Sequence, residues 1–238
     1  MQIMKPVAIF RHAPSEGPGY FATFLDTHGI PWQLFRIDAG DALPTHVRLF
    51  SGLAFMGGPM SVNDDLPWIP HSLELIRQAA QADIPVLGHC LGGQLMAKAL
   101  GGAVGRNPIK EIGWGEVMVA DNATAKAWFE EVKKFEAFHW HGETFTIPPG
   151  ATGILGNAHC VNQAFAMGKH LGMQCHIEMT EEMVREWCAL GEQEIASAIT
   201  SPAVQQQAGI LDNLAEHVKR LNVAAQKIYT KWIEGLVR

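Results

Sequence analysis

The chain has 238 residues, 47% of them hydrophobic, and a formal net charge of −6 with no run of lysine or arginine. Its length suits one sizeable domain, since a core grows to roughly 250–300 residues before splitting, and its charge argues against nucleic acid or an anionic membrane as the main partner, because both need a concentrated basic footprint. No stretch approaches the ~20 apolar residues of a membrane span, and Arg11 and His12 cut the N-terminal apolar run too short for a signal peptide.

Taken in chain order, apolar runs of strand length alternate with helical patterns through the first hundred residues. Residues 6–12 read as a strand, 19–29 as a helix closed by Gly29, 32–38 as a second strand and 52–58 as a third, stopped by paired glycines. Residues 68–83 carry Leu73, Ile76 and Ala80 at helical spacing, 84–89 form a fourth strand, and 91–101 form the helix after it. Alternation of this kind predicts an α/β fold with an open, mostly parallel sheet and helices on both faces.

The middle of the chain is less regular. Residues 113–120, 151–157, 162–168 and 170–176 are short β-like pieces, with one helix predicted at about 123–133. From about Pro202 the chain reads as helical to its end, with Ile210, Leu214, His217, Leu221, Ala225, Ile228, Trp232 and Leu236 as an apolar-leaning stripe and a break expected near Asn222. The stripe is expected to pack on the sheet, with a homodimer-forming helix as the alternative. No linker or repeat interrupts the chain, so residues 1–238 are read as a single domain with C-terminal helices over about 203–237.

The stretch that carries chemistry is Gly88-His89-Cys90-Leu91-Gly92, a nucleophile elbow with cysteine at its tip. Small residues two positions either side of the tip let strand and helix approach closely enough to force the turn. The helix N-terminus just beyond offers unpaired N–H groups and the positive end of a dipole, which favour a thiolate. A thiolate also needs a base. Among the 11 histidines, His176 stands out, because Glu178 lies two residues on and would share its side of a strand end, able to fix its tautomer. Gly57-Gly58-Pro59 follows the third strand directly and would leave N–H groups free at the same sheet edge as Cys90, where open α/β sheets bind ligands.

Read in order, Gly57-Gly58-Pro59-Met60-Ser61-Val62, Gly88-His89-Cys90-Leu91-Gly92-Gly93-Gln94, Trp140-His141-Gly142-Glu143 and His176-Ile177-Glu178 resemble the recurring segments of the class I (triad) glutamine amidotransferase family. The resemblance spans most of residues 50–180 and implies a fold of the flavodoxin-like kind with no cofactor. It implies that Cys90 attacks the side-chain amide of glutamine or of a γ-glutamyl compound, that His176 moves the proton with Glu178 orienting it, and that the N–H groups of Gly58 and Leu91 form an oxyanion hole. Gln94 would hold the substrate's amino-acid head, with His141 and Gly142 shaping the substrate site. Ile177 replaces the family's proline, Cys175 stands where an aromatic is common, and Glu143 replaces a shorter carboxylate.

Two consequences stay open at this level. Family members that feed biosynthesis work with a synthase that consumes the ammonia, so the expectation is either an ammonia-accepting partner or a stand-alone γ-glutamyl hydrolase or peptidase. A non-catalytic scaffold or sensor is the further alternative. His139, His141, His159, Cys160, His170, Cys175 and His176 match no zinc spacing, so no metal is expected. With four cysteines and no C-x-x-C pair, a reducing, cytoplasmic setting is expected. His12 and Glu16 follow the first strand and would lie at the Cys90 edge, either lining the pocket or simply capping the next helix.

Overall fold

The computed structural model describes residues 4–237. In chain order the elements are β1 (Val7–Arg11), α1 (Gly19–Thr27), β2 (Trp32–Arg36), β3 (Gly52–Phe55), α2 (Trp68–Gln81), β4 (Val86–His89) and α3 (Leu91–Ala99). They continue with β5 (Val104–Val119), α4 (Ala123–Phe129), β6 (Lys134–Phe145), β7 (Thr152–Gly156), β8 (Ala164–Met167) and β9 (His170–Met173). The chain closes with α5 (Glu181–Leu190), α6 (Glu192–Ala198), β10 (Ala203–Val204), α7 (Gln207–Leu211) and α8 (Leu214–Ile233).

The sheet is ordered β10-β5-β7-β8-β9-β4-β3-β1-β2, with β6 paired to β5. Its heart is parallel, β2-β1-β3-β4-β9. β8, β7, β5 and β6 extend it in antiparallel fashion, and β10 pairs in parallel with β5. Because side chains alternate along a strand, β1 divides its residues between two cores. Val7 and Ile9 join α1 and α8 on one face, while Ala8 and Phe10 join α2 and α3 on the other. The sheet therefore carries helices on both faces, as its near-continuous apolar strands require.

The first hundred residues fold within a few residues of the predicted boundaries. Further on, three expectations are corrected. β5 begins at Val104, well before the predicted piece at 113, and it pairs with β6, a strand the sequence reading did not identify. Charged and polar residues interrupt both strands, so neither shows a clean period of two. The helix expected to 133 stops at Phe129, where Glu130 turns to φ 51°. The C-terminal break lies at Asn213, in the left-handed region at φ 47°, and α8 runs unbroken through Asn222. A two-residue strand, β10, and the separate α7 precede it. Also outside the sequence reading are α5, capped by the Thr180 hydroxyl accepting from the Met183 N–H at 3.2 Å, and α6.

The α8 stripe is spent within the chain. Leu214, Leu221, Ala225, Ile228 and Trp232 are buried, along with Val218 and Tyr229, against α1, α4 and β6, whereas His217 is only half-buried. Among the described residues, no helix is long and apolar enough to cross a membrane, and all four cysteines are free thiols.

Candidate active site

The parallel strands end at one edge, and the turn from β4 into α3 puts Cys90 there. Cys90 has φ 51° and ψ −108°, a region a non-glycine residue enters only when its surroundings hold it. Its N–H donates to the Met173 carbonyl at 2.8 Å, tying the turn to the end of β9. The flanking glycines make room for this turn: a Cβ on Gly88 would strike the backbone of Gly92, and one on Gly92 would strike the Phe55 carbonyl. Leu91 opens α3, so its N–H is among those with no intrahelical acceptor.

His176 does not continue β9, which ends at Met173. It lies beyond the strand and makes an isolated bridge to Phe138 of β6, its N–H donating to the Phe138 carbonyl at 2.8 Å. That bridge fixes the backbone from which the ring projects. His176 Nδ1 is 2.6 Å from Glu178 Oε1, and the other Glu178 oxygen accepts from the Ile177 N–H at 2.9 Å. Nε2 is buried without an aligned partner of its own on the side facing the cavity that Cys90 lines. Burial alone would depress the His176 pKa, but the Glu178 carboxylate and the adjacent Cys90 thiol outweigh it and hold it well above the ordinary value. Burial likewise opposes ionisation of Glu178, yet His89 and His176 bring its pKa down to about 2. A thiol, an imidazole and a locked carboxylate thus stand together, an arrangement capable of nucleophilic acyl chemistry.

Some of the other expected residues join this centre. Gln94 is buried and donates to Gln174 at 3.1 Å, and the Gln174 amide in turn approaches Cys90 Sγ at 3.5 Å. Gly58, Gln94, His141, Gly142 and Glu143 line the same cavity of about 470 Å³ as Cys90 and His176. Glu143 accepts from the Ser61 hydroxyl at 2.9 Å, which braces the Gly57–Val62 loop. Of the pair after β1, Glu16 lines the cavity and His12 does not. The His12 ring is buried, with Nδ1 3.0 Å from the Met56 carbonyl, and lies tilted against Trp68 at 4.9 Å.

His141 lines the cavity, but both of its ring nitrogens are engaged by other groups. Its Nδ1 bonds the Glu143 carbonyl at 3.0 Å, and its Nε2 lies 3.0 Å from Glu111, whose carboxylate accepts from Asn157 and Gln163. With His139 these side chains bring three ligand-type atoms within 4.8 Å of one another, the one such cluster among the described residues. His159, Cys160, His170, Cys175 and His176 take no part in it. The contacts already made to Glu111 form a buried polar link joining β5 to β6.

The sequence reading missed a second ring of contacts. His89 Nε2 lies 3.7 Å from Glu178 and 3.1 Å from the Tyr229 hydroxyl, so α8 reaches the buried carboxylate through the residue before the cysteine. Trp187 of α5 stands edge-on to His176 at 4.9 Å. The place of His89 inside the elbow was a usable signal. Tyr229 and Trp187 gave none, because on an amphipathic helix an aromatic reads as core.

Comparison with known proteins agrees with this architecture. A family model described as "Glutamine amidotransferase class-I" matches residues 25–185. The chain is 31% identical over 194 residues to the glutamine amidotransferase-like protein YfeJ of Salmonella typhimurium, covering 79% of this chain and 81% of that one. It is 28% identical to gamma-glutamyl peptidase 3 of Arabidopsis thaliana over 71% of this chain and 72% of the peptidase. It is 30% identical to the glutamine-hydrolyzing GMP synthase of Aeropyrum pernix over 81% of this chain but only 36% of the synthase. Among solved structures, a glutamine amidotransferase from Methylobacillus flagellatus superposes with a TM-score of 0.97 at 48% identity, covering 99% of this chain and 97% of that one.

Proposed function

From the premise that the chain belongs to the class I glutamine amidotransferases, we propose that it is a thiol enzyme that hydrolyses the side-chain amide of glutamine through a γ-glutamyl thioester on Cys90. Relatives named as a glutamine-hydrolyzing synthase and a gamma-glutamyl peptidase support an enzyme of this kind. The observation that carries the proposal is the buried His176, held by Glu178 at 2.6 Å through one nitrogen and facing the Cys90 cavity with the other.

In this reading Cys90 gives its proton to His176 and its sulfur attacks the amide carbon. A C–S bond forms while the carbonyl electrons move to oxygen. The N–H groups of Gly58 and Leu91 receive that oxyanion, since donors fixed before the reaction need no reorganisation. The imidazolium then protonates the amide nitrogen, the C–N bond breaks, and ammonia or an amine departs. Water, deprotonated by His176, attacks the thioester, and glutamate leaves with the thiol restored. Glu178 keeps the imidazole in the tautomer that presents Nε2. Gln94, together with the backbone around His141 and Gly142, holds the amino-acid head. The ammonia would pass to a synthase partner.

A second reading is favoured by the shape of the site. The cavity extends past the glutamyl end to Trp187, Leu190 and Glu194, space that ammonia does not need and that a γ-glutamyl hydrolase would use. The test is release of ammonia from L-glutamine beside release of amine from γ-glutamyl compounds, with wild type and Cys90→Ala. The thiol mechanism requires that Cys90→Ala abolish both and that a glutamine-analogue alkylator label Cys90 ahead of the other cysteines. Equal labelling of all four, with no turnover of either substrate, would sink it and leave a scaffold.

A further inference from the structure

The cavity has two halves of different origin. Six of its lining residues, Ser15, Glu16, Trp187, Leu190, Gly191 and Glu194, lie outside the segment the family model matches. They come from the loop after β1 and from the α5–α6 corner, and together with Lys110 and Trp140 they line one connected side of the cavity.

These residues form a built wall. The Trp187 indole N–H donates to the Ser15 carbonyl at 2.8 Å, joining α5 to the loop that carries Glu16. The Trp140 indole N–H donates to Glu194 at 2.8 Å, and Lys110 is ion-paired to the same carboxylate. Gly191 is required beneath Trp140, since a Cβ there would strike the indole. Trp140 and Trp187 meet edge to face at 6.1 Å.

Two features of this wall bear on the leaving group. Glu16 and Trp187 both flank His176: a Cβ at Gly57 would touch a Glu16 carboxyl oxygen and lie 3.1 Å from His176 Cε1, and the Trp187 ring is 4.9 Å from the imidazole. The nitrogen that departs must sit within reach of His176 to be protonated, so its substituent emerges between Glu16 and Trp187. The second feature is charge. Lys110 is the one lysine or arginine among the described lining residues, and Glu194 already occupies it, whereas the Glu16 carboxyl has no hydrogen-bond or ion-pair partner among the described residues. A carboxylate on the leaving group would find no free cation there and would face Glu16. An ammonium would find a carboxylate and two indole rings, the surroundings that bind organic cations.

Resting on the thiol-hydrolase reading above, we infer that this half of the site takes the amine portion of γ-glutamyl amides, and that Glu16 selects amines bearing a second, cationic amino group over amino acids and ammonia. Glu16 is here a specificity-determining residue. The thiol chemistry does not require it.

The test compares kcat/KM at pH 8, where the Glu16 carboxyl is ionised, on three substrates: L-glutamine, γ-glutamylglycine and the mono-γ-glutamyl amide of 1,4-diaminobutane. Wild type is expected to favour the diamine amide over γ-glutamylglycine by roughly tenfold or more, the scale of a desolvated cation contact. Glu16→Gln, a neutral substitution of the same shape, is expected to bring that ratio close to one, mainly through KM for the diamine amide. Glu16→Asp should restore part of it. Equal or better use of γ-glutamylglycine by wild type, or a ratio unmoved in Glu16→Gln, overturns the proposal. Cys90-dependent turnover of glutamine alone overturns it too, while leaving the thiol hydrolase standing. Absence of Cys90-dependent turnover on all three substrates overturns both.

Discussion

The inner and outer halves of the cavity are made of different material. Around Cys90 the determinants are main-chain: a turn at φ 51°, glycines packed against the Gly92 and Phe55 backbones, and the first N–H groups of α3. Around Glu16 they are side chains from segments far apart in sequence, held by indole hydrogen bonds to Ser15 and Glu194. A backbone-made site tolerates almost no change in its own segment, but it can be carried by many sequences that keep the turn. A side-chain wall can be rebuilt without disturbing the chemistry, so it is where relatives on one fold can diverge in substrate.

The largest expected effects break the inner half. Cys90→Ala should lower turnover by about 10⁴-fold or more, the scale seen when a member of a catalytic triad is lost, while circular dichroism stays native. Glu178→Gln should cost on the order of 10³-fold in kcat. Because the Glu178 carboxylate raises the His176 pKa, its neutralisation should also move the limb of the pH–rate profile that His176 governs to lower pH. An unmoved limb would separate Glu178 from the titration of His176. Gly92→Ala forces a methyl group into the Phe55 carbonyl and should destabilise the fold by about 2–4 kcal/mol, read as a lower midpoint in urea.

Smaller effects sharpen the comparison through pH. Burial lowers the pKa of His12 and of His139 from 6.5 to about 4. Between those values the unfolded chain binds protons that the native state does not, so stability should fall as pH drops from about 6.5 to 4. Urea midpoints at pH 7 and pH 4.5 measure that fall, and His12→Asn should reduce it. Glu16 behaves in the opposite sense. Burial is the main cause that raises its pKa to about 7 from 4.5, so the native state holds a proton the unfolded chain has released, and stability falls as pH rises through that window. Glu16→Gln should therefore melt higher than wild type at pH 8, with the difference shrinking toward pH 5. A gain in stability from removing a group that binds substrate is the trade-off expected of a functional residue. Equal melting at pH 8 would place Glu16 in contact with water.

Much of this molecule was legible before any fold was known, for reasons that differ along the chain. The strands of the parallel heart are buried on both faces and read as plain apolar runs, and the elbow is a local motif whose spacing is set by one turn. His176 and Glu178 were legible because two residues suffice to place both groups on one side. β6 was not, since Phe138 and Trp140 fall on the side of Lys134 and Glu136 while His139, His141 and Glu143 fall on that of Phe135, and its pairing with β5 joins residues from 16 apart (Met118 and Lys134) to 41 apart (Val104 and Phe145). Nor was the Asn213 break, because a left-handed asparagine carries no obligatory sequence mark, whereas Asn222 stood within a stripe that folds straight through.

By itself the sequence determined the order of strands and helices in the first hundred residues, the acute turn that holds a cysteine over a helix N-terminus, and the family to which these segments belong. Those follow from short-range sterics and from the period of apolar residues, which act within one or two turns of chain. Tertiary structure alone decided that Tyr229 reaches Glu178 through His89, that Glu111 pairs with His141, and that Glu16, Trp187 and Glu194 line one side of the cavity. Each of those contacts joins residues whose proximity depends on how the sheet twists and where the last helices dock. That geometry is set by the packing of the whole core and by no stretch of sequence within it.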